Sequence, residues 1–145
     1  MHARAQIRAA LVSRLTGLAT TGARAFKART FSMVPEDMPG LIVYTNNEPS
    51  ADASIGYPRV QHREVSVSVE AYGKTAGAVD DLLDQMALEI EKAIGADPTL
   101  GGVANDCGLT ATECDLANAE QNVGVVRLLY TAKYNVRENA PDVLL

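Results

Sequence analysis

Four places in this chain of 145 residues hold side chains that could do chemistry. His62 and Glu64 stand two apart in VQHREVSVSVEAY, so in an extended strand they share a face and could form an acid–base pair. Such a pair needs a nucleophile and an orienting third group. No serine here has nucleophile-elbow glycines around it, and no third group is evident, so His62 reads as a solvated strand residue. Gly73-Lys74-Thr75 lies between a strand pattern and a helix pattern, where a phosphate-binding loop would lie. The full motif needs a glycine five residues before Gly73, but Ser68 stands there, inside the strongest strand alternation of the chain. A strand–turn–helix unit with Thr75 as the helix cap is the better account. Asp80, Asp81 and Asp84 resemble paired carboxylates, yet at helical spacing on a polar face they read as a solvated helix surface. Cys107 and Cys114 are the only cysteines. Their spacing is neither a zinc nor a redox motif, and they read as free thiols. These readings name no catalytic residue, no cofactor and no metal ligand.

The elements that would position these residues follow from periodicity. Ile7, Leu11, Leu15 and Leu18 form one stripe and predict a helix over 3–18, ended by Gly17 and Gly22. Residues 23–30 alternate weakly and suggest a short strand; a loop with Pro35 and Pro39 follows. LIVYT at 41–45 reads as a buried strand. Residues 46–58 are polar and turn-rich, and predict a long loop of the functional kind. The clearest strand is 60–72, with Val65, Val67, Val69 and Ala71 on one face and Ser66, Ser68, Glu70 and Tyr72 on the other. Val79, Leu82, Leu83, Met86, Ile90, Ala93 and Ile94 predict a second helix over 76–94, with Leu88 nearly opposite that stripe. The stretch 103–118 reads poorly, with a short strand near Leu109–Thr112. A last long strand spans 123–137, and the tail after Asn139 hangs free or docks on a neighbour. Strands and helices do not alternate strictly. The expected class is therefore α+β: one domain over 1–145, a mixed, largely antiparallel sheet, and two helices packed on one face.

Charge is unevenly distributed. Residues 1–35 carry Arg4, Arg8, Arg14, Arg24, Lys27 and Arg29 and no acid, a formal +6; the other 110 residues carry 7 bases and 18 acids, a formal −11 and a total of −5. A transit peptide, a nucleic-acid arm and a docking surface would each account for the basic segment. The acidic body would repel phosphate, and six charges are thin for a nucleic-acid arm. Aromatics are 5% with no tryptophan, which disfavours a base-stacking platform. No apolar run approaches the ~20 residues of a membrane span.

Taken in order, RAALVSRLTGL, GARAFKARTFSMVPEDMPGLIVYTNNE, REVSVSVEAYGK, VDDLLDQMALEIEKAIGAD, PTLGGVANDCGL and VGVVRLLYTAKYNVR resemble the tail terminator proteins of long-tailed bacteriophages, the lambda-like minor tail proteins. The most specific elements are the proline before an apolar strand (Pro39 to Tyr44) and Asp-Pro-x-Leu-Gly-Gly (Pro98, Leu100, Gly101, Gly102). The resemblance implies a non-enzymatic virion subunit, made in the host bacterial cytoplasm and placed at the head–tail joint. It implies a homohexameric ring that sits on the tail-tube protein, stops its polymerisation and meets a head-completion or connector protein. Genome DNA would pass through the channel without specific binding, and no membrane is involved. The expected interface residues are Arg4, Arg8, Arg59, Arg63, Asp80, Asp81, Asp84 and Leu88, with the 46–58 loop. Another connector or tail-completion protein, a small nucleic-acid binder and an enzyme using His62 and Glu64 are the alternatives.

Overall fold

The computed structural model describes residues 1–27, 34–118, 120 and 122–145. The order is α1 (Ala3–Leu15), β1 (Ala25–Phe26), β2 (Gly40–Thr45), β3 (Ser50–Asp52), β4 (Val60–Lys74), α2 (Val79–Gly95), β5 (Asp106–Asn118), β6 (Val123–Arg137) and β7 (Ala140–Leu144). Residues 28–30 of the expected short strand lie outside the described residues; β1 is the part that is described.

Helix α1 buries Ala3, Ile7, Leu11 and Leu15, one residue per turn. It stops three residues before the predicted end. Thr16 is extended and Gly17 takes φ +92°, which a side-chain-bearing residue adopts only under strain. Leu18 and Gly22 then bridge a tight turn.

The sheet order is β1-β2-β4-β6-β5, with β3 added to β4 and β7 to β6; β1–β2 is parallel and the other pairs are antiparallel. Strands β4 and β6, each 15 residues long, pair along their whole length. Their register sets Val65 against Ala132, Val67 against Tyr130, Val69 against Leu128 and Ala71 against Val126. One face is therefore continuously apolar, and both helices pack on it as the expected α+β class requires. Gly73 and Gly124 are opposed in this register, and a Cβ on either would meet Leu82, Met86, Val79 or Leu83 within about 3 Å. The glycine pair is the floor on which the start of α2 rests.

Four expectations are corrected. The stretch 103–118 contains a 13-residue edge strand, β5. Its register shifts between Leu109 and Ala111, so Cys107 and Leu109 before the bulge, but Thr112 and Cys114 after it, share the helix-side face. That phase change, and exposure at the edge, erase the period of two. The tail does not hang free: β7 pairs with β6, and Gln6 donates to the Asp142 carbonyl at 2.8 Å. Residues 46–52 are not loop-like throughout, because Asn46, Asn47 and Pro49 exchange backbone bonds with Ser66 and Glu64, and β3 follows. Thr75 is not the helix cap. Ala78 holds that position, and Thr75 Oγ1 accepts from the Gly77 amide at 3.1 Å, closing a turn before the helix.

Candidate functional site

The two most exposed large apolar side chains among the described residues stand in the loop between β3 and β4. Ile55 is 96% exposed and Tyr57 81%. The base of this tip is fixed. Ala53 and Val60 are joined by a backbone bond, and Ser54 Oγ accepts from the Val60 amide at 2.8 Å. Arg59 donates from its backbone N–H and its Nε to the two oxygens of Glu138, at 2.8 and 3.1 Å, and Glu138 donates its own N–H to the Arg59 carbonyl. The Arg59 guanidinium also reaches Asp52 at 3.5 Å and lies 5.0 Å from the centroid of the Tyr57 ring. Backbone and side-chain donation from Arg59 holds the Glu138 carboxyl below its ordinary value. Strand β4 and the β6–β7 turn thus brace a tip whose two large apolar side chains face water.

Arg63 and Arg4, also expected at an interface, meet inside the subunit. Both reach Glu48, whose side chain is only 6% exposed, at 3.6 and 2.9 Å, and Glu48 also accepts from the Tyr134 hydroxyl. Burial, then the bond to Glu48, pushes the Tyr134 hydroxyl up to about 12. His2 caps α1 through Nδ1, accepting from the Arg4 amide at 3.1 Å, and its Nε2 lies 3.4 Å from Arg63. This cluster ties α1, the 46–49 segment, β4 and β6 together. Arg14 likewise turns inward, to Asp97 at 3.3 Å. Arg8 takes a different course: it donates to Thr45 Oγ1 at 3.1 Å, and no ion pair involves it among the described residues.

Asp80, Asp81 and Asp84 lie exposed on the outer side of α2, and Leu88 on the same helix is 45% exposed. Burial, then the Asp84 and Asp80 carboxylates, raises the Cys114 thiol on β5, so these acids and the edge strand form one surface. Cys107 is buried, which with Asp106 pushes its thiol up to about 12; both cysteines are free.

The sheet face without helices carries a group that sequence patterning missed. Ile42, Glu70, Arg127 and Glu113 form one rung across β2, β4, β6 and β5. Glu70 is 7% exposed and accepts from Tyr44 Oη, Tyr72 Oη at 2.8 Å and Arg127 Nε at 2.9 Å; Arg127 also donates to Glu113 at 2.9 Å. Burial alone would raise the Glu70 carboxyl, but the three donors outweigh it and hold it below its ordinary value. Burial and Glu70 push the Tyr72 hydroxyl up to about 12. The alternation of β4 hinted at a polar face, but only the register brings Glu70 to Arg127.

His62 and Glu64 do share a strand face, with Nε2 3.4 Å from Glu64 Oε1 and Nδ1 2.9 Å from Asn135 Oδ1. They line a shallow hollow of about 230 Å3 with Pro49, Ser50 and Ala51. Asn122 Nδ2 donates to the Thr75 carbonyl at 2.6 Å and the Gly77 carbonyl at 3.4 Å, so the Gly73–Thr75 turn is held through its acceptors rather than offering a ring of N–H donors to phosphate. Among the described residues no group of three or more His, Cys, Asp or Glu converges as a metal site. No helix of these residues is long and apolar enough to cross a membrane.

No family model matches this chain, and no curated protein matches it. Among solved structures it is similar to a chain of the "Virion of native gene transfer agent (GTA) particle", at 15% identity and a TM-score of 0.48, covering 94% of this chain and 100% of that one.

Proposed function

We propose that this chain is a structural virion subunit: a ring-forming tail terminator that caps the phage tail tube, stops its polymerisation and offers the head-attachment surface. The observation that carries this reading is the braced tip with Ile55 and Tyr57 in water. Burying a large apolar side chain contributes roughly 1.5–3 kcal/mol. A tip that holds two such side chains outward on an anchored base is built for a protein partner to cover. The α+β class is the one the sequence resemblance implies. In this reading the tip and Arg59 meet a tube or connector protein. Arg8, Asp80, Asp81, Asp84 and Leu88 lie at contacts between copies, and Arg4 and Arg63 hold the segment that carries the tip.

The test is the mass of the purified full-length protein in solution, followed by imaging. Six-fold rings that bind tail tubes before heads are present, and halt tube growth, are the expected result. Rings that bind only after heads are supplied would indicate a connector or tail-completion protein instead. A strict monomer at every concentration, with no effect on tube growth, would overturn the proposal. Assembly unchanged in His62→Ala is expected, whereas a measured turnover lost in that variant would favour an enzyme.

A further inference from the structure

We infer that copies of this chain dock head-to-tail through the two opposite edges of the sheet, the acidic β5 edge of one subunit against the Arg8–Lys27 edge of the next. This deepens the ring reading and rests on it, because it names which surfaces close the ring.

The strand order puts β5 at one edge and β1–β2 at the other, with α1 packed over β2 and α2 over β6, β4 and β5. At the β5 edge, Asp106, Asp115, Asp80 and Asp84 are all exposed, and none is in an ion pair among the described residues. Leu109 and Leu116, both exposed, stand among them on the same strand. An apolar centre inside a charged rim is how protein interfaces are composed. Among the described residues Arg127 holds Glu113 and Asp115 accepts from the adjacent Leu116 amide at 2.8 Å, while no ion pair uses Asp106, Asp80 or Asp84.

The opposite edge is the mirror of this in charge. Arg8 and Lys27 line one notch of about 250 Å3 with Val43, Tyr44 and Thr45. Neither has a carboxylate partner among the described residues, whereas Arg4 and Arg14 on the same helix are taken by Glu48 and Asp97. Among the described basic residues of the N-terminal segment, Arg4 and Arg14 are neutralised by carboxylates and Arg24 donates to the Pro39 carbonyl, while Arg8 and Lys27 bring uncompensated charge to this edge.

Unlike edges also decide the kind of assembly. Two β5 edges brought together would oppose four or more carboxylates to their own copies, so a two-fold dimer through this edge is disfavoured. Acid against base joins two different surfaces, a heterologous contact that closes into a ring when its rotation permits. It also occupies a 13-residue edge strand that is otherwise open to pairing with other chains.

The experiment uses two full-length variants, Arg8→Glu/Lys27→Glu and Asp80→Lys/Asp84→Lys/Asp115→Lys, with folding checked by circular dichroism. Self-association is read by sedimentation velocity at low and at 0.5 M salt. Each variant alone is expected to associate at least tenfold more weakly than wild type. An equimolar mixture is expected to regain assembly, because one variant is acidic at both edges and the other basic at both. Rescue by mixing cannot come from misfolded subunits. Variants that assemble like wild type would overturn this docking while leaving the ring reading intact, since another surface or protein would then cover these edges. Loss in each variant without rescue by mixing would overturn the pairing of the two edges. Edge-dependent open chains in place of closed rings would uphold the docking and overturn the ring. A wild-type monomer at all concentrations would overturn both.

Discussion

The two faces of the sheet are built on different physics. The helix-covered face is mainly an apolar layer in which Val65, Val67, Val69, Leu128, Ala132 and Val136 are fully buried, with the Glu48 cluster of Arg4, Arg63 and Tyr134 at one end. The open face is held by directed bonds, with Glu70 collecting Tyr44, Tyr72 and Arg127. Area removed from water is insensitive to pH and salt near neutrality; a charge-assisted network is sensitive to both. The covered face therefore sets whether the chain folds. The open face stiffens the sheet whose edges and hairpin tip are the proposed contact surfaces.

The largest effect is expected on the covered face. Leu128→Ala should lower stability by about 2–5 kcal/mol, read from the denaturant midpoint, because it leaves a cavity at the centre of the β4–β6 ladder. A loss below about 1 kcal/mol would mean that this face can collapse around the hole. Gly124→Val should come next, at about 1–3 kcal/mol, since its side chain would be driven into Val79 and Leu83 and lift the start of α2.

On the open face, Glu70→Gln should cost about 1–3 kcal/mol at pH 7 by weakening bonds to a buried acceptor. Its signature is the pH profile. Because the Glu70 carboxyl is held below its ordinary value in the folded chain, its contribution is complete above the ordinary carboxylate range and is lost as pH falls through the folded value. Stability of wild type and Glu70→Gln should therefore converge in strong acid, separate as pH rises from the folded value to the ordinary carboxylate value, and stay a constant distance apart above it. Parallel profiles would show that the network does not bind its proton differently in the folded and unfolded chains.

The smallest stability effect belongs to the tip. Ile55→Ser/Tyr57→Ser should leave the denaturant midpoint near that of wild type, because both side chains already face water. The same variant should weaken partner binding tenfold or more in a pull-down with tail tubes. Wild-type binding by that variant would remove the tip from the contact surface.

Much of this architecture was readable along the chain. Repeats of four in α1, of three and four in α2 and of two in β4 and β6 mark buried faces directly, because burial imposes the period of each element. What failed to show has a common cause. Strand β5 changes phase at its bulge and lies at an edge, so burial leaves no regular trace in it. Strand β7 gains its place only because the β6–β7 turn returns it to β6. The polar residues 46–52 read as loop because their bonds go to β4 through the backbone, which side-chain identity does not record. Among the candidate interface residues, the helix stripe placed Asp80, Asp81, Asp84 and Leu88 off the buried face, where they are found. It could not tell which arginines of α1 would be neutralised at home.

By itself, then, the sequence determined the elements with strong periodicity, the α+β class and the separation of a basic start from an acidic remainder. These are local properties, written in spacing and composition. Tertiary structure decided that Glu48 neutralises Arg4 and Arg63, that Glu70 meets Arg127, and that Arg8 and Lys27 lie across the sheet from the β5 acids. Each of those is a meeting of residues far apart in the chain, and only strand register and strand order bring such residues together.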